Sequence, residues 1–578
     1  MIGMNNAQIA DAFDLIADLL EIQGANPFRV RAYRRGARVV REWHESLARV
    51  AADDPARLTA IEGIGRDLAD KIQALVSTGS VPLLEELRAQ IPPSVLDLMR
   101  IPGLGPKKAA VLQRELGINT LDELRAACQA HRLRDLKGFG AKTETAIAAG
   151  IDLAQSANER IYWSAADQYA QELVEHLRSV PGIEKIALAG SYRRGRDTVG
   201  DLDILTVSSD ATAAMDQLAQ FDGVEVVARG GTKMTIRLPS GLQVDLRVVP
   251  AESFGAALQY FTGSKEHNIV LRGLAKSRGL KINEYGVFEV TPEGEKYVAG
   301  RTEEDVYGTL GLPLFPPEIR ESRFEFALAG AGPLPRLVEL TDLRGDLHMH
   351  TTATDGRGTL AEMVAAARAR GFAYIAITDH SKRVSMANGL DEARLRAQWA
   401  EIDRLNATLT DLRVLKGVEV DILERGGLDL ADDCLREADW VVASVHYGQN
   451  QSREQITARI LGALENPNVS AIAHPTGRLI NRRAPYEVDL EAVFKAAAAH
   501  GKCLELNANP ARLDLDDLAA AAAKAHGIPI VISSDAHSVD GFNVLRYGIL
   551  QARRAGLTAG DVLNTRAWPE VQRLLGRG

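Results

Sequence analysis

Asp201 and Asp203 stand two residues apart at the start of an apolar run, Asp201–Val207, so in a strand both side chains leave the same face. A third carboxylate, Asp245, sits inside a second apolar run, Leu242–Val249, where a lone charge would be costly. Three carboxylates converging from adjoining strands call for cations. Two Mg²⁺ or Mn²⁺ ions ~4 Å apart would activate a hydroxyl nucleophile and stabilise a leaving pyrophosphate in an in-line displacement. Upstream, a strand pattern runs into the turn Gly190-Ser191, where Ser191, Arg194 and the backbone N–H groups could hold a triphosphate. A lone Asp-x-Asp says little. The Gly-Ser turn before it and the strand-borne Asp after it make it specific.

A different set gathers in the C-terminal region. His348 and His350 end one strand pattern, with Asp355 shortly after, and Asp379-His380 end a second. Glu419 ends a third, His446 and His474 close two more, and Asp535 and His537 follow the last, with Cys503–Leu506 a further strand between. One strand-end histidine is ordinarily a satisfied core residue. Six of them, joined by Asp355, Glu419 and Asp535 in equivalent positions, exceed coincidence. In a parallel barrel all strand C-termini meet at one rim. Nitrogen and carboxylate ligands there, without thiolates, suit two or three Mn²⁺, Zn²⁺ or Fe ions. His500 and His526 each precede glycine at the end of an Ala-rich helical run, and read instead as helix C-terminal cations.

The elements that must position these residues differ along the chain. Residues 1–150 read as helices only, with Ile9, Phe13, Ile16 and Leu20 on one helical face. A Gly-hydrophobic-Gly pattern occurs at Ile61–Gly65, Ile101–Gly105 and Leu136–Gly140. An ordinary helix–helix turn would explain one copy. Three copies point to hairpins whose glycines, Gly63, Gly65, Gly103 and Gly105 among them, bring the next helix's N–H groups to a phosphate. Lys107, Lys108 and Lys142 would add charge there, and such hairpins contact backbone, not sequence. Residues 28–41 carry six arginines and no acid, which reads as a DNA-phosphate footprint. From about 183 strands take over: Lys185–Ala189, Asp201–Val207, and a hairpin of Thr232–Leu238 with Leu242–Val249. The Pro-rich stretch 312–317 and the Gly/Pro stretch 329–335 read as linker, and beyond them apolar runs alternate with Ala-rich helices, a βα rhythm.

At 578 residues the chain is too long for one core, and about four domains are expected. No apolar run approaches the ~18 residues a membrane helix needs, and no basic, apolar leader opens the chain. Cys128, Cys434 and Cys503 are isolated, which fits a reducing cytoplasm and leaves no thiolate metal cluster. A net charge of −9 means that any DNA contact must come from local basic patches.

The strings Gly190–Asp203, Val244–Arg247 and Tyr260–Ser264 resemble family X DNA polymerases, the group of polymerase beta, over residues 5 to 318. The resemblance implies that Asp201, Asp203 and Asp245 bind the catalytic metals, and that Gly190, Ser191, Arg194 and Gly200 contact the triphosphate. Tyr260, Phe261 and Gly263 would line the incoming sugar, while Asn268 and Arg272 would touch the nascent pair. Gln243 departs from the family's arginine. Lys71 aligns with the family's Schiff-base lysine for 5′-deoxyribose phosphate removal. Yet Asp67 replaces the helper lysine and Phe28-Arg29 the His-Lys pair, which favours phosphate binding over lyase chemistry. Residues 341–578 resemble a polymerase and histidinol phosphatase (PHP) domain, a distorted (βα)7 barrel with a trinuclear site and all nine ligand positions filled. The resemblance implies a multidomain architecture: an all-α helix-hairpin-helix region, lyase-like at 1–85 and fingers-like at 86–155; an α+β palm at 156–250 and a thumb at 251–318; a linker at 319–340; and the barrel at 341–578. The expected activity is short-gap filling on gapped or primed DNA with dNTPs, joined to 3′→5′ exonuclease, abasic-site or 3′-phosphate processing. A monomer is expected, with no membrane partner. Two other readings stay open at this level: a DNA-binding N-terminal module serving a barrel that does all the chemistry, and a barrel acting on small molecules.

Overall fold

The computed structural model describes residues 6–43, 47–61, 63–92, 94–99, 101 and 104–575, the side chains at 7, 8, 41, 42, 49, 149 and 152–159 excepted. Ile9, Phe13, Ile16 and Leu20 are buried on helix Asn6–Ile22, which packs against helix Pro27–Glu42. One apolar core then continues from Ile9 to Ile151. The expected boundaries at 85/86 and 155/156 fall within helices Pro82–Gln90 and Ala141–Glu159. Buried Leu84 and Leu87 straddle the first of these, and an amphipathic helix buries its face as a unit.

Gly65, Gly105 and Gly140 are the N-caps of helices Arg66–Thr78, Pro106–Leu116 and Ala141–Glu159, none with a side-chain cap. Gly63 has φ +89°, and a Cβ there would lie 2.8 Å from Val39, so glycine is required for conformation and for space. Gly103 lies outside the described residues.

The chain next forms β1 (Ile161–Tyr162), β2 (Ile183–Leu188), β3 (Thr198–Val199), β4 (Asp201–Ser208), β5 (Glu225–Arg229), β6 (Lys233–Arg237) and β7 (Gln243–Val248). β1 pairs with β3, and the main sheet has the order β2-β4-β7-β6-β5, with β4 and β7 parallel. Leu202, Ile204, Val244 and Leu246 pack beneath helices Trp163–Arg178 and Ala211–Ala219. Alternation therefore turns Asp201, Asp203 and Asp245 to the opposite face. Helices Phe254–Thr262 and Lys265–Lys276 follow, then an antiparallel sheet of β8 (Leu280–Asn283), β9 (Gly286–Thr291) and β10 (Gly294–Ala299).

The stretch expected to be a linker is a packed strap. Arg320 is fully buried against Glu303, and Glu325 accepts from His267 Nδ1 at 2.8 Å and from the backbone N–H groups of Ser322 and Arg323. Phe324 and Phe326 pack on the second sheet's core, and Val338 N donates to Leu557 O at 2.9 Å. The strap carries a short helix, Glu325–Ala331, so the Pro and Gly along it exclude neither a helical turn nor burial.

Seven parallel strands complete the chain: β11 (Gly345–Asp346), β12 (Tyr374–Ile377), β13 (Arg413–Asp421), β14 (Trp440–Ser444), β15 (Ala471–Ile472), β16 (Cys503–Asn507) and β17 (Ile530–Ser533), in sequence order. The ends of the sheet meet through a Met349–Ala536 bridge, His350 N donating to Ala536 O at 2.8 Å. Tyr374, Trp440 and Cys503, each first in its strand, fill the N-terminal mouth together with Trp568 and Val571. That plug leaves the C-terminal mouth for chemistry. Among the described residues no helix is long and apolar enough to cross a membrane.

The loop after β15 ties the barrel to both preceding parts. Arg482 meets Asp14 at 3.3 Å, Arg478 meets Asp197 at 3.2 Å, and Tyr162 donates its hydroxyl to Ile480 O at 2.8 Å.

Candidate active sites

The parallel register of β4 and β7 sets Asp203 directly beside Asp245, with Asp201 one step along the same face. Burial, reinforced by Asp201 and Asp245, pushes the Asp203 carboxyl up to about 7. A cluster that resists its own ionisation in this way is completed by cations. Thr235, opposite Asp245 on β6, donates its hydroxyl to Asp245 Oδ1, and Lys233 Nζ lies 3.4 Å from Oδ2. Neither residue was singled out by the sequence.

The Gly-Ser turn is a single helical turn, Gly190–Arg193, set against this trio by Ala189 N donating to Asp203 O at 2.9 Å. Gly190 has φ +65°, and a Cβ there would stand 2.6 Å from Asp203 Oδ2. Gly190→Ala should therefore displace the carboxylate and lower nucleotide incorporation at least about tenfold. Primer extension beside an unchanged 3′-digestion rate checks this. Ser191 Oγ is buried with no hydrogen-bond partner, as expected of a group awaiting a phosphate oxygen. Gly200 forms the joint between β3 and β4.

Other residues of the expected nucleotide pocket hold one another. Arg194 donates from Nε to Glu321 at 3.0 Å and from Nη1 to Thr262 O at 2.8 Å. Asn268 donates to Tyr260 O at 2.7 Å and accepts from Gln259 at 2.8 Å, which ties its helix to the one before. Arg272 Nε donates to Asn268 O at 3.2 Å. Tyr260 and Phe261 meet edge to face, with the Arg247 guanidinium 4.3 Å over Phe261. A side chain at Gly263 would strike Asn268 Oδ1 at 2.8 Å.

In the helical region, Lys71 Nζ bonds Asp67 and lies 5.8 Å from the centre of the Tyr33 ring. Burial alone would lower its pKa, but the hydrogen bonds to Asp67 and Tyr33 win, and the net direction is upward. A Schiff-base amine must be unprotonated, so this environment opposes lyase chemistry. The arginine run is less free than its sequence implied, since Arg34 is committed to Asp14 and Asp18 of the neighbouring helix. Arg29, Arg31, Arg35 and Arg38 are exposed.

At the barrel mouth the structure brings together all nine expected ligands. Glu419 is the hub: His380 Nδ1 lies 2.7 Å, His474 Nε2 3.1 Å, His446 Nε2 3.3 Å, His348 Nε2 3.5 Å and His350 Nε2 3.6 Å from its carboxylate. Asp535 lies 3.2 Å from His350, and Asp355 lies 3.4 Å from His537 and 3.5 Å from His380. Three metal-sized groupings result, sharing His350 and His380: His350, Asp355, His380 and His537; His348, His350 and Asp535; and His380, Glu419 and His446. Although they crowd together, buried His348 Nε2, both His350 nitrogens, His380 Nδ1, Asp355 Oδ1 and Glu419 Oε2 make no hydrogen bond of good geometry. That donor set fits two or three divalent ions. Burial, helped by His380 and His537, pushes His350 down to about 4, so the ring is neutral and one nitrogen lone pair is available to a metal. Burial opposes it, but Glu419 and Asp421 push His446 up to about 10. His474 and Asp535 hold φ of +29° and +54°, strain that clusters at functional sites. His500 and His526 cap helices away from this site, as their sequence context implied.

Two carboxylates behind the ligands escaped the sequence reading. Glu505 on β16 accepts from His348 Nδ1 at 2.7 Å and from His474 N at 2.6 Å, and Asp421 lies 3.0 Å from His446 Nδ1. Each fixes an imidazole so that Nε2 faces the hub. Glu505→Gln should weaken Mn²⁺ activation of the barrel by ~10–100-fold, read as a shift of the Mn²⁺ titration midpoint with primer extension unchanged.

The fold and its two sites define a nucleotidyltransferase joined to a metal-dependent phosphoesterase barrel. Family models match as helix-hairpin-helix domain (residues 4–81), SAM-like helix-hairpin-helix tandem (95–152), DNA polymerase beta palm (160–235), DNA polymerase beta thumb (257–321) and PHP domain (346–509). The DNA polymerase/3′-5′ exonuclease PolX of Bacillus subtilis (strain 168) is 40% identical over 577 residues, covering 99% of this chain and 100% of the relative. DNA polymerase lambda of Rattus norvegicus is 27% identical over 55% of this chain and 56% of its own length. A probable phosphatase of Thermoanaerobacter sp. (strain X514) is 32% identical over 38% of this chain and 89% of its own. The chain belongs to the PolX family of polymerase beta-like enzymes that carry a PHP domain.

Proposed function

We infer that this enzyme fills short gaps in DNA by two-metal nucleotidyl transfer at Asp201, Asp203 and Asp245, and shortens 3′ ends at the barrel mouth. The carrying observation is that one chain holds two separate clusters poised for cations, a carboxylate trio in the palm and a histidine–carboxylate lattice in the barrel. Mg²⁺ or Mn²⁺ at the first, and Mn²⁺, Zn²⁺ or Fe at the second, would supply Lewis-acid activation of the attacking and leaving oxygens. The protein's own groups do the rest. Ser191 Oγ and the turn's backbone hold phosphate oxygens, Tyr260 and Phe261 wall the sugar, and Glu505 and Asp421 orient imidazoles. The hairpin N-termini, Lys71 and the exposed arginines take DNA phosphates, with a 5′-phosphate at the downstream edge of a gap as the favoured contact. Abasic-site cleavage and 3′-phosphate removal are further reactions of the same barrel chemistry. The buried, isolated cysteines fit an enzyme of the reducing cytoplasm. A barrel served by an inert N-terminal module is disfavoured, because a mere scaffold has no use for Asp203 set against Asp245. A labelled primer on gapped DNA, with and without dNTPs, decides: lengthening with dNTPs and shortening without them is expected, and shortening alone would leave the palm without a role.

A further inference from the structure

The barrel helix Leu545–Arg554, which carries none of the candidate metal ligands, is seated on Arg194 and Gly195, which directly follow the palm's Gly-Ser turn. Arg554 is buried and donates to Arg194 O at 2.9 Å, to Glu321 Oε1 at 2.9 Å and to Asp517 at 2.7 Å. The same Glu321 oxygen accepts from Arg194 Nε. One turn earlier, Gln551 donates to Gly195 O at 3.4 Å, and a Cβ on Gly195 would touch Leu550 at 3.3 Å. Arg323 of the strap meets Asp517 at 2.7 Å, so palm, strap and barrel share one ion network.

A guanidinium is a rigid plane, and two fixed donors set its orientation. With Nε on Glu321 and Nη1 on Thr262 O, Arg194 keeps Nη2 for an anion at the turn. Its main chain is held from the barrel side as well, through Arg554. We propose that Glu321 and Arg554 are positioning residues for nucleotide binding at the palm, the PHP barrel thereby forming a structural part of the polymerase's triphosphate site. This rests on reading Arg194 as a triphosphate contact.

Charge alone predicts the opposite sign, because a carboxylate beside Arg194 competes with phosphate, and removing it would tighten dNTP binding. That makes the test decisive. Full-length Glu321→Gln, Arg554→Met and Arg554→Lys are compared in single-nucleotide gap filling, with Mn²⁺-dependent 3′ digestion measured on the same preparations. The expected result is a dNTP KM raised about tenfold in Glu321→Gln and Arg554→Met, with kcat within about twofold. Arg554→Lys should be intermediate, since lysine keeps the charge without the fork. Digestion should be unchanged. Glu321→Gln added to Arg194→Ala should raise KM no further. An unchanged or lowered KM in Glu321→Gln and Arg554→Met, while Arg194→Ala raises it, overturns the positioning role. So does a KM rise matched by an equal loss of digestion, which marks general damage. If Arg194→Ala leaves KM unchanged, the triphosphate reading is what has failed.

Discussion

Purified Asp203→Ala protein is expected to incorporate nucleotide on the order of 10³-fold more slowly than the wild type while still shortening 3′ ends in Mn²⁺. Asp203 is the middle carboxylate of the trio, paired in register with Asp245 and next to Asp201 on one face of β4. Its loss should remove transition-state stabilisation of about 4 kcal/mol, on the order of 10³-fold in rate. The barrel ligands belong to other strands and should be indifferent. A structural role can be separated from a catalytic one by Asp203→Asn, which keeps the shape and removes the charge. Without metal the trio repels itself, with burial and the neighbouring carboxylates pushing Asp203 up to about 7. A carboxyl raised in the folded state contributes stability that is present at low pH and lost as pH rises through that value. At pH 8, in chelator, Asn should therefore give a Tm no lower than the wild type. Incorporation near the wild-type rate in either variant would sink the palm assignment.

Both sites were legible in the sequence for the same reason, that strands alternate. Two carboxylates spaced by two at the head of an apolar run share a face, and a charge inside an apolar run such as Asp245 needs a reason to be there. Applied evenly, the second rule finds Glu505 inside Cys503–Asn507 and Asp421 at the end of Arg413–Asp421. Interactions between distant segments left no such periodic trace. Nothing in residues 28–41 announces that Asp14 and Asp18 neutralise Arg34, since those acids lie on the preceding helix. The strap at 319–340 reads as linker because its Pro and Gly residues hide the short helix Glu325–Ala331 and leave no periodic pattern. Its buried Arg320 and Glu325 find their partners at Glu303 and His267, far along the chain. Arg194 was legible as a phosphate-type residue, but its ties to Glu321 and to the barrel were not, because they exist only once three parts of the fold meet.

His348→Ala, and separately Asp535→Asn, should remove Mn²⁺-stimulated 3′ digestion and leave gap filling within about twofold of the wild type. The reason is closure of the barrel. His348 lies two residues beyond β11 and Asp535 two beyond β17, and the Met349–Ala536 bridge brings these first and last strands together. His348 Nε2 stands 3.7 Å and His350 Nε2 3.2 Å from Asp535 Oδ1, so one cation can draw ligands from both ends of the barrel. Removing such a ligand should cost more than the ~10–100-fold typical of a supporting residue like Glu505. The two substitutions differ usefully in the metal-free protein. His348→Ala leaves Glu505 buried without its imidazole partner and should lower Tm, while the near-isosteric Asp535→Asn disturbs packing least. Digestion lost in both, with Tm lowered in only the first, assigns the loss to chemistry and not to folding. The palm's cations are held by a separate carboxylate set, so extension on gapped DNA serves as the internal control. Wild-type protein that shortens no 3′ end when loaded with Mn²⁺ would end the exonuclease reading outright. Digestion that survives both barrel substitutions but disappears in Asp203→Ala would move the activity to the palm, and a requirement for added pyrophosphate, with dNTP as the product, would mark it as pyrophosphorolysis.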